Sequence, residues 1–197
     1  WDILSIHYSS QNATATGRSP GYCNYSMNIL AGRFKGQKIR TIMKASYRPT
    51  TSRVRKSIFD MLGDLDDYSV LDLFAGSGIL GFEAASRGAT EITFVDKNRR
   101  NVKLIQVNSQ IFQDQVKMKV ICKDWYQYLR VRHEYDIIFA DPPYGKIDIA
   151  KLVEKCLTTL LNNGRFVLET SSRESIPVGG RSKKFGDTMI TIWTKTV

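Results

Sequence analysis

The sequence predicts an α/β fold, a doubly wound and mostly parallel sheet with helices on both faces. Short apolar segments typical of strands alternate with segments of helical periodicity over most of the chain, which is the pattern of repeated strand–helix–strand units. A glycine-rich stretch follows the first of these strands and begins a helix, as in Rossmann-like folds. We expect about seven strands in the sheet, the last of them antiparallel, preceded by a small basic β-hairpin.

The composition is that of a folded domain rather than a disordered or membrane-spanning chain. Of the 197 residues, 42% are hydrophobic and 24% are charged. There is no apolar run long enough for a membrane span and no secretory signal at the N-terminus, so we expect a soluble, cytoplasmic protein. The three cysteines and two histidines have no metal-ligand spacing, so we expect free thiols and no metal site.

The chain divides into three segments that differ in composition and periodicity. Residues 1–26 are rich in Ser, Asn, Thr and Gly and show no sustained periodicity, so we expect a flexible leader that arose by cloning or mistranslation, with the native start at Met27. Residues 27–62 are expected to form a basic hairpin and a helix. Residues 63–197 carry the strand–helix alternation and are expected to form the catalytic domain.

The expected elements follow in order along the chain. The hairpin is predicted over 27–39, and the first helix begins at Thr50 or Thr51 and ends at Gly63. Strands are predicted at 69–75, 91–96, 117–122, 135–141 and 165–170, with a final pair of strands within 183–195. Further helices are predicted at 79–87, 98–112 and 148–161.

Positive charge is concentrated in one short stretch. The chain has a net charge of +10, and residues 27–56 contain nine basic residues and no acidic one, whereas residues 57–197 are nearly neutral. Such a block stabilises a bound polyanion by releasing condensed counterions, which predicts a nucleic-acid contact; the alternative is a solvated basic tail. The candidate contacts are Arg33, Lys35, Lys38, Arg40, Arg48, Arg53 and Arg55.

The first cofactor signal is the loop 76–81, whose spacing is G-x-G-x-x-G. Glycine lets the backbone turn tightly and lets a ligand approach main-chain atoms. Asp96 lies 20 residues after Gly76, where a carboxylate can accept hydrogen bonds from both hydroxyl groups of an adenosine ribose. The alternatives are glycines that serve packing alone and an aspartate that caps a helix. Dinucleotides and S-adenosylmethionine share both features.

Asp72 favours S-adenosylmethionine over a dinucleotide. It lies in the first strand just before the loop, where it suits the amino group of a methionine moiety and would repel a pyrophosphate. Asp124 and Trp125 follow the third strand, where they can contact adenine; a helix-capping Asp followed by a core Trp is the alternative. The candidate cofactor residues in this region are Asp72, Phe74, Ala75, Gly76, Ser77, Gly78, Asp96, Lys97, Asp124 and Trp125.

A tetrapeptide, Asp141-Pro142-Pro143-Tyr144, carries the chemistry. It follows an apolar strand and therefore lies at the carboxyl edge of the sheet, where ligands bind in such folds. Prolines hold the turn rigid and offer only carbonyl acceptors. A carboxylate and a carbonyl can together accept both hydrogens of an –NH2 group and aim its lone pair, while Tyr144 stacks on a base. The alternative is a stiff surface turn.

Together these motifs resemble a known family. The segments NILAGRFKGQKI, RPTTSRVRKSIFDML and LDLFAGSGILGFEAASRGA, followed by DPPYGK, resemble the RsmD family of 16S ribosomal RNA guanine-N2 methyltransferases. The resemblance implies a methyltransferase fold that binds S-adenosylmethionine and a basic N-terminal segment that grips rRNA. It also implies that Thr50, in Arg48-Pro49-Thr50, lies near the methionine end of the cofactor.

The resemblance also assigns roles to the matching residues. It implies that the Gly76 loop, Asp96 and Asp124 bind the cofactor. It implies that Asp141, Pro142 and Tyr144 hold a flipped guanine. After Tyr144 the chain continues Gly145-Lys146 and offers no second aromatic residue, so we expect stacking by Tyr144 alone.

The expected function is therefore methyl transfer from S-adenosylmethionine to the exocyclic N2 of a guanine in 16S rRNA, within the small ribosomal subunit or its assembly intermediate. One alternative is methylation of adenine N6 or cytosine N4 in DNA or RNA, because the same acceptors suit any exocyclic amine. A second is a non-enzymatic RNA-binding factor that retains the fold. A third is an NAD-dependent oxidoreductase.

Overall fold

The computed structural model describes residues 24–42, 51–112 and 115–196. The strands within these residues are β1 (Asn24–Asn28), β2 (Lys38–Ile42), β3 (Ser69–Leu73), β4 (Glu91–Asp96), β5 (Lys117–Cys122), β6 (Tyr135–Ala140), β7 (Leu160–Ser171), β8 (Arg181–Phe185) and β9 (Thr188–Thr194). The helices are α1 (Ser52–Leu62), α2 (Ile79–Ser86), α3 (Arg99–Ser109), α4 (Trp125–Tyr128) and α5 (Ile149–Thr159), and a 3₁₀ turn, Gln110–Phe112, follows α3. None of these helices is long and apolar enough to cross a bilayer.

Seven of the described strands form one sheet in the order β5-β4-β3-β6-β7-β9-β8. Neighbouring strands are parallel from β5 to β7, and β9 runs antiparallel to both of its neighbours. β1 and β2 form a separate antiparallel pair. The predicted fold class, a doubly wound sheet with an antiparallel last strand and an N-terminal hairpin, is confirmed.

Most predicted elements agree with the structure to within a few residues. β4 and β5 have the predicted bounds, and Thr51 caps α1 by accepting a hydrogen bond from the backbone N–H of Val54. β7 is longer than predicted, because the sequence Asn162-Asn163-Gly164 suggests a loop whereas the strand continues through it with a register shift opposite β6. Asn163 takes a positive φ of 63° there, which asparagine tolerates better than most residues.

Two apolar cores lie on the two faces of the large sheet. Side chains of a strand point alternately to opposite faces, so Val70 of β3 packs with α1 and α2 whereas Leu71 packs with α4 and α5. Ile29 and Ile39, from the hairpin, are buried in the same core as α1 and α2. The predicted boundary between residues 62 and 63 therefore does not separate two cores.

The hairpin begins earlier than the sequence indicates. β1 starts at Asn24, so residues 24–26, predicted to be flexible, form a strand that pairs with β2. The remainder of the predicted leader, residues 1–23, lies outside the described residues.

A buried carboxylate, Glu83 of α2, joins the hairpin to the rest of the fold. It accepts hydrogen bonds from the backbone N–H groups of Leu30 (2.8 Å) and Ala31 (3.1 Å). It also pairs with Arg55 Nε at 3.5 Å and with Arg87 Nε at 2.9 Å. Glu83 and Arg55 have 0% and 1% exposed side chains, so this ion pair is shielded from water.

The sequence predicts Arg55 as a nucleic-acid contact, and this prediction is wrong. Besides pairing with Glu83, Arg55 donates a hydrogen bond of 2.6 Å from its Nη2 to the carbonyl of Asn28 in β1. Burial lowers the pKa of its guanidinium, and the charge of Glu83 opposes this. A phosphate cannot reach the buried group, so Arg55 holds the fold together and is not a surface contact.

Removing the buried carboxylate should destabilise the protein strongly. Glu83→Ala leaves Arg55 and two backbone N–H groups buried without their partner, which costs about 3–5 kcal/mol for a broken buried pair. Urea unfolding monitored by circular dichroism measures the loss. The exposed pair Lys56–Asp60 supplies the control, since Asp60→Ala removes only a solvent-screened ion pair and should change the free energy of unfolding little. Equal losses in the two variants would contradict the assigned role of Glu83.

Candidate active site at the carboxyl edge of the sheet

The order of the strands creates a crevice between β3 and β6. These strands are parallel neighbours, with Leu73 opposite Ala140 at their carboxyl ends. From β3 the chain proceeds outward to β4 and β5 and then returns to form β6 on the other side of β3. Ligands bind at such a reversal of strand order. The glycine loop after β3 and the Asp141–Tyr144 turn after β6 therefore lie side by side.

The glycine loop has a strained and well-fixed backbone. Phe74, Gly76 and Gly78 have φ values of 64°, 57° and 78°, which lie in the left-handed region. A residue with a bulky side chain, such as Phe74, rarely adopts this backbone conformation. A Cβ added to Gly78 would lie 2.8 Å from the ring of Phe82, so only glycine fits there. A Cβ added to Gly76 would meet only the Phe74 carbonyl oxygen, at 3.8 Å. The space beside Gly76 is thus open to a ligand.

Asp96, at the end of β4, anchors this loop. It is 9% exposed, and its Oδ2 accepts hydrogen bonds from the backbone N–H of Gly76 at 2.8 Å and from Asn101 Nδ2 at 3.0 Å. Its Oδ1 accepts one from the backbone N–H of Asn98 at 2.7 Å. Part of the capacity of this carboxylate is therefore used in shaping the loop, and its contact with a ribose stays a prediction.

Asp72 is a buried acid beneath the loop. It is 3% exposed, and its Oδ2 accepts a hydrogen bond of 3.0 Å from the backbone N–H of Gly81 in the first turn of α2. Burial raises the pKa of Asp72 to about 8, the Gly81 N–H opposes this, and the negative charges of Asp141 and Asp96 add to it. A cationic group placed beside Asp72 would stabilise its ionised form.

Aromatic side chains line the side of the crevice towards β4. The rings of Phe74 and Trp125 lie 6.1 Å apart and form an apolar wall. Asp124 caps α4 by accepting a hydrogen bond of 2.9 Å from the backbone N–H of Tyr126, so the capping alternative is realised. Its predicted contact with adenine stays a prediction. Lys97 is exposed next to Asp96.

The Asp141–Tyr144 turn is tied to the end of β7. The backbone N–H of Gly145 donates to Glu174 Oε1 at 2.8 Å, and Glu174 Oε2 accepts from the backbone N–H of Ser171 at 3.2 Å. The Pro143 carbonyl accepts a hydrogen bond from the backbone N–H of Lys146. The carbonyl of Pro142 is therefore the candidate acceptor to act together with Asp141. Glu174 is a positioning residue that no sequence motif singles out.

Tyr144 presents a protonated phenol at the edge of the crevice. Its side chain is 48% exposed. Burial of its hydroxyl raises the pKa of Tyr144 to about 12, with smaller contributions from the charges of Asp141 and Glu169 and an opposing hydrogen bond with Thr188. Tyr144 can thus stack or donate a hydrogen bond but does not act as a base near neutral pH.

The sequence analysis does not single out Glu169, whose charge contributes to the raised pKa of Tyr144. The signal for it in the sequence is an acid at the end of an apolar strand.

The predicted nucleic-acid contacts that the structure describes are on the surface, apart from Arg55. Arg33, Lys35, Lys38, Arg40 and Arg53 are exposed. Arg33 lies in the loop between β1 and β2, residues 29–37, which we call the hairpin tip. Its backbone N–H donates to the Ser86 carbonyl at 2.8 Å, so the hairpin tip lies at the end of α2 farther from the glycine loop. Arg48 and Thr50, both predicted site residues, lie outside the described residues.

Comparison with known proteins identifies the family. A family model described as "Conserved hypothetical protein 95" matches residues 27–194. Ribosomal RNA small subunit methyltransferase D of Escherichia coli K12 is 31% identical over 145 residues, covering 70% of this chain and 68% of the relative. The protein of the same name from Buchnera aphidicola of Acyrthosiphon pisum is 32% identical, covering 79% of this chain and 83% of the relative. The chain belongs to the RsmD family.

Solved structures share the fold of this chain. A hypothetical protein of Thermus thermophilus superposes with a TM-score of 0.73 at 28% identity, covering 87% of this chain and 99% of that chain. The 16S rRNA N2 G1207 methyltransferase RsmC of the same species, solved with AdoMet and guanosine, superposes with a TM-score of 0.68 at 19% identity, over 90% of this chain and 51% of that chain. At that identity the likeness to RsmC concerns the fold.

Replacing Asp72 by Asn should flatten the pH dependence of stability. With a pKa of about 8 when folded and ~4 when unfolded, Asp72 keeps a proton in the folded state that the unfolded chain releases. The stability it contributes is full below pH ~4 and is lost as the pH rises through ~8. Urea unfolding between pH 5 and pH 9 should show the wild type losing at least ~1 kcal/mol more than Asp72→Asn. The exposed Asp64→Asn is the control, and curves for Asp72→Asn and wild type that stay parallel would contradict the shift.

Proposed function

We propose that this protein transfers a methyl group from S-adenosylmethionine to the exocyclic N2 of a guanine in small-subunit ribosomal RNA. The observation that carries the proposal is the proximity of the glycine loop to the Asp141–Tyr144 turn, with Leu73 opposite Ala140 at the end of paired strands. One loop suits an adenosyl cofactor and the other suits an aromatic amine. The names of the RsmD relatives support rRNA as the polymer. With ribosomal RNA as the substrate, we expect the reaction to take place in the cytoplasm.

The residues around the glycine loop fit S-adenosylmethionine. The open space beside Gly76 admits a ligand to the backbone, the Phe74–Trp125 wall supplies an apolar surface for adenine, and Asp72 offers a buried acid for an amino group. A cationic amino group beside Asp72 would stabilise its ionised form, whereas a pyrophosphate would keep the acid protonated and gain no ion pair from it. When bound, the cofactor supplies a methyl group that is already a strong electrophile.

Asp141 and the Pro142 carbonyl activate the amine. Asp141 is half-buried at the end of β6, and the Glu174 contacts hold the following turn in position. Two acceptors on one –NH2 group draw its nitrogen out of conjugation with the ring and direct its lone pair. The step needs orientation and charge stabilisation rather than a strong base. The proton released from the nitrogen after transfer can pass to the Asp141 carboxylate.

Tyr144 holds the plane of the base. Tyr144 is 48% exposed, so part of its surface is available for stacking. Stacking of a base on an aromatic side chain contributes about 1–3 kcal/mol and helps to offset the cost of extracting the base from its stack. No second aromatic residue follows Tyr144 in the turn, so the opposite face of the base needs another contact.

The turn by itself does not select guanine. Two acceptors suit the amino group of guanine, adenine or cytosine equally. The choice of guanine N2 rests on the resemblance of the sequence motifs to the guanine-N2 methyltransferases of the RsmD family. Methyl transfer from a radiolabelled cofactor to undermethylated small subunits, free 16S rRNA and DNA, followed by nucleoside analysis, decides it. N2-methylguanosine in 16S rRNA is expected. Label in N6-methyladenine or N4-methylcytosine, or tight binding of NADH instead of S-adenosylhomocysteine, would refute the proposal.

Replacing Asp141 by Ala should abolish methyl transfer with little effect on the cofactor. The carboxylate acts on the amine, so kcat should fall by at least about 100-fold, the loss typical of a removed electrostatic contact in a catalytic site. Calorimetric titration with S-adenosylhomocysteine should give a dissociation constant within a few-fold of wild type. Asp148→Asn, which alters the exposed cap of α5, is the matched control. Comparable turnover in Asp141→Ala and wild type would show that the amine is activated otherwise.

Neutralising the hairpin tip should weaken RNA binding. Deletion of the hairpin is unsuitable because Ile29 and Ile39 belong to the main core. The double variant Arg33→Gln/Lys35→Gln removes two exposed charges and leaves the backbone contacts intact. RNA affinity should fall and its slope against salt concentration should become shallower, whereas S-adenosylhomocysteine binding should not change. Unchanged RNA affinity would exclude the hairpin tip from the interface.

A further inference from the structure

The two edge strands of the large sheet both carry cations, but their surroundings differ. β5, at one edge, has Lys117 and Lys119, whose ammonium groups pair with Glu91 at 3.1 and 2.8 Å. β8, at the other edge, has Arg181, Lys183 and Lys184, all exposed. Within the described residues no ion pair involves these three cations of β8. One carboxylate therefore offsets part of the charge on β5, whereas no ion pair among the described residues offsets the charge on β8.

The register of the sheet places the β8 cations level with the Asp141–Tyr144 turn. Lys183 lies opposite Ile190, which lies opposite Glu169 of β7. Leu168 lies opposite Ala140, so the next position, Glu169, is level with Asp141. β8 is three strands from β6, or about 14 Å at the usual spacing between strands. Lys183 and Lys184 thus flank the site where the base is expected to bind.

Helix α1 extends this positive surface. Lys183 Nζ donates a hydrogen bond of 3.1 Å to Ser57 Oγ of α1, which joins β8 to the helix. Arg53 is exposed one turn before Ser57, on the same side of α1. The nearest acid on α1, Asp60, already pairs with Lys56 at 2.7 Å. We refer to Arg53, Arg181, Lys183 and Lys184 together as the β8 basic edge.

Along the strand direction, the hairpin tip lies farther from the Asp141–Tyr144 turn than the β8 basic edge does. Its Arg33 is fixed to Ser86 at the last residue of α2. Helix α2 begins beside the glycine loop at Ile79, so Ser86 is displaced by about 10 Å towards the opposite edge of the sheet. A nucleic-acid strand that inserts a base at Asp141 therefore lies at the level of the β8 basic edge and needs additional length to reach the hairpin tip.

We propose that the β8 basic edge binds the phosphate backbone of the RNA strand that carries the target base. The inference rests on the proposed function and adds a partner surface to it. Exposed cations beside a catalytic turn stabilise a bound polyanion by releasing its counterions, and phosphate contacts fix the register of the strand without reading its sequence. Sequence charge alone does not reveal the surface, because residues 57–197 are almost neutral in sum.

Lysines on an edge strand also prevent edge-to-edge pairing between two sheets. The lysines of β5, the other edge strand, provide a control that distinguishes this role from RNA binding. Lys183→Gln/Lys184→Gln removes two charges from one edge strand, and Lys117→Gln/Lys119→Gln removes two from the other. The affinity of each variant for unmodified 16S rRNA, transcribed in vitro, is measured by filter binding over a range of salt concentrations. Size-exclusion chromatography and binding of S-adenosylhomocysteine accompany the titrations.

The β8 variant should bind the RNA roughly 10-fold more weakly, and the slope of log K against log salt should fall in magnitude by about 1.4, as for two lost contacts to a single strand. The β5 variant should keep the wild-type affinity and slope, and both variants should keep their affinity for S-adenosylhomocysteine. Equal losses in both variants, or an unchanged affinity with new dimers of the β8 variant, would overturn the inference. If the wild-type protein binds RNA through β8 but transfers no methyl group, the proposed function is refuted and the inference that the β8 basic edge binds RNA is retained.

Discussion

The parallel pairing of β3 with β6 is the contact on which the candidate site depends. It sets Leu73 opposite Ala140 and so brings together two loops that are far apart in the chain. Neither loop is sufficient alone, since the glycine loop has no group to act on an amine and the Asp141–Tyr144 turn has no cradle for a cofactor. Because both strands are buried on both faces, the two loops are held at a fixed separation. The geometry of the candidate site therefore depends on apolar packing by residues that lie outside the two loops.

Two buried acids near this pairing, Asp72 and Glu83, have different surroundings. Asp72 accepts a hydrogen bond from the backbone N–H of Gly81, and the negative charge of Asp141 helps to raise its pKa. Within the described residues Asp72 forms no ion pair, whereas Glu83 is buried with two arginines and two backbone donors. A buried acid with a full set of partners stabilises the fold, whereas one with a raised pKa is suited to receive a cationic ligand.

Helix α2 connects the glycine loop with the N-terminal hairpin. Its first residue follows Gly78, and its last turns hold the hairpin through Glu83 and Ser86. The hairpin therefore shares the main core, and its orientation is set by the same helix that begins at the glycine loop. β8 lies on the other side of β6 from β3 and β4, whose connecting helix α2 holds the hairpin. An RNA held at both surfaces would be positioned across the turn.

Local patterns in the sequence are enough to predict the order and type of the elements, the glycine loop, Asp96 and the Asp141–Tyr144 turn, because periodicity, glycine and proline act locally. They cannot show that Arg55 is buried, since one basic residue among nine looks like the others until α1 packs against Glu83. They also miss Glu174 and the β8 cations. The predicted β7 begins only after Asn162-Asn163-Gly164, whereas the observed strand includes this segment. These features depend on which strands become neighbours. Strand order, register and ion pairing are long-range contacts, and only the folded chain decides them.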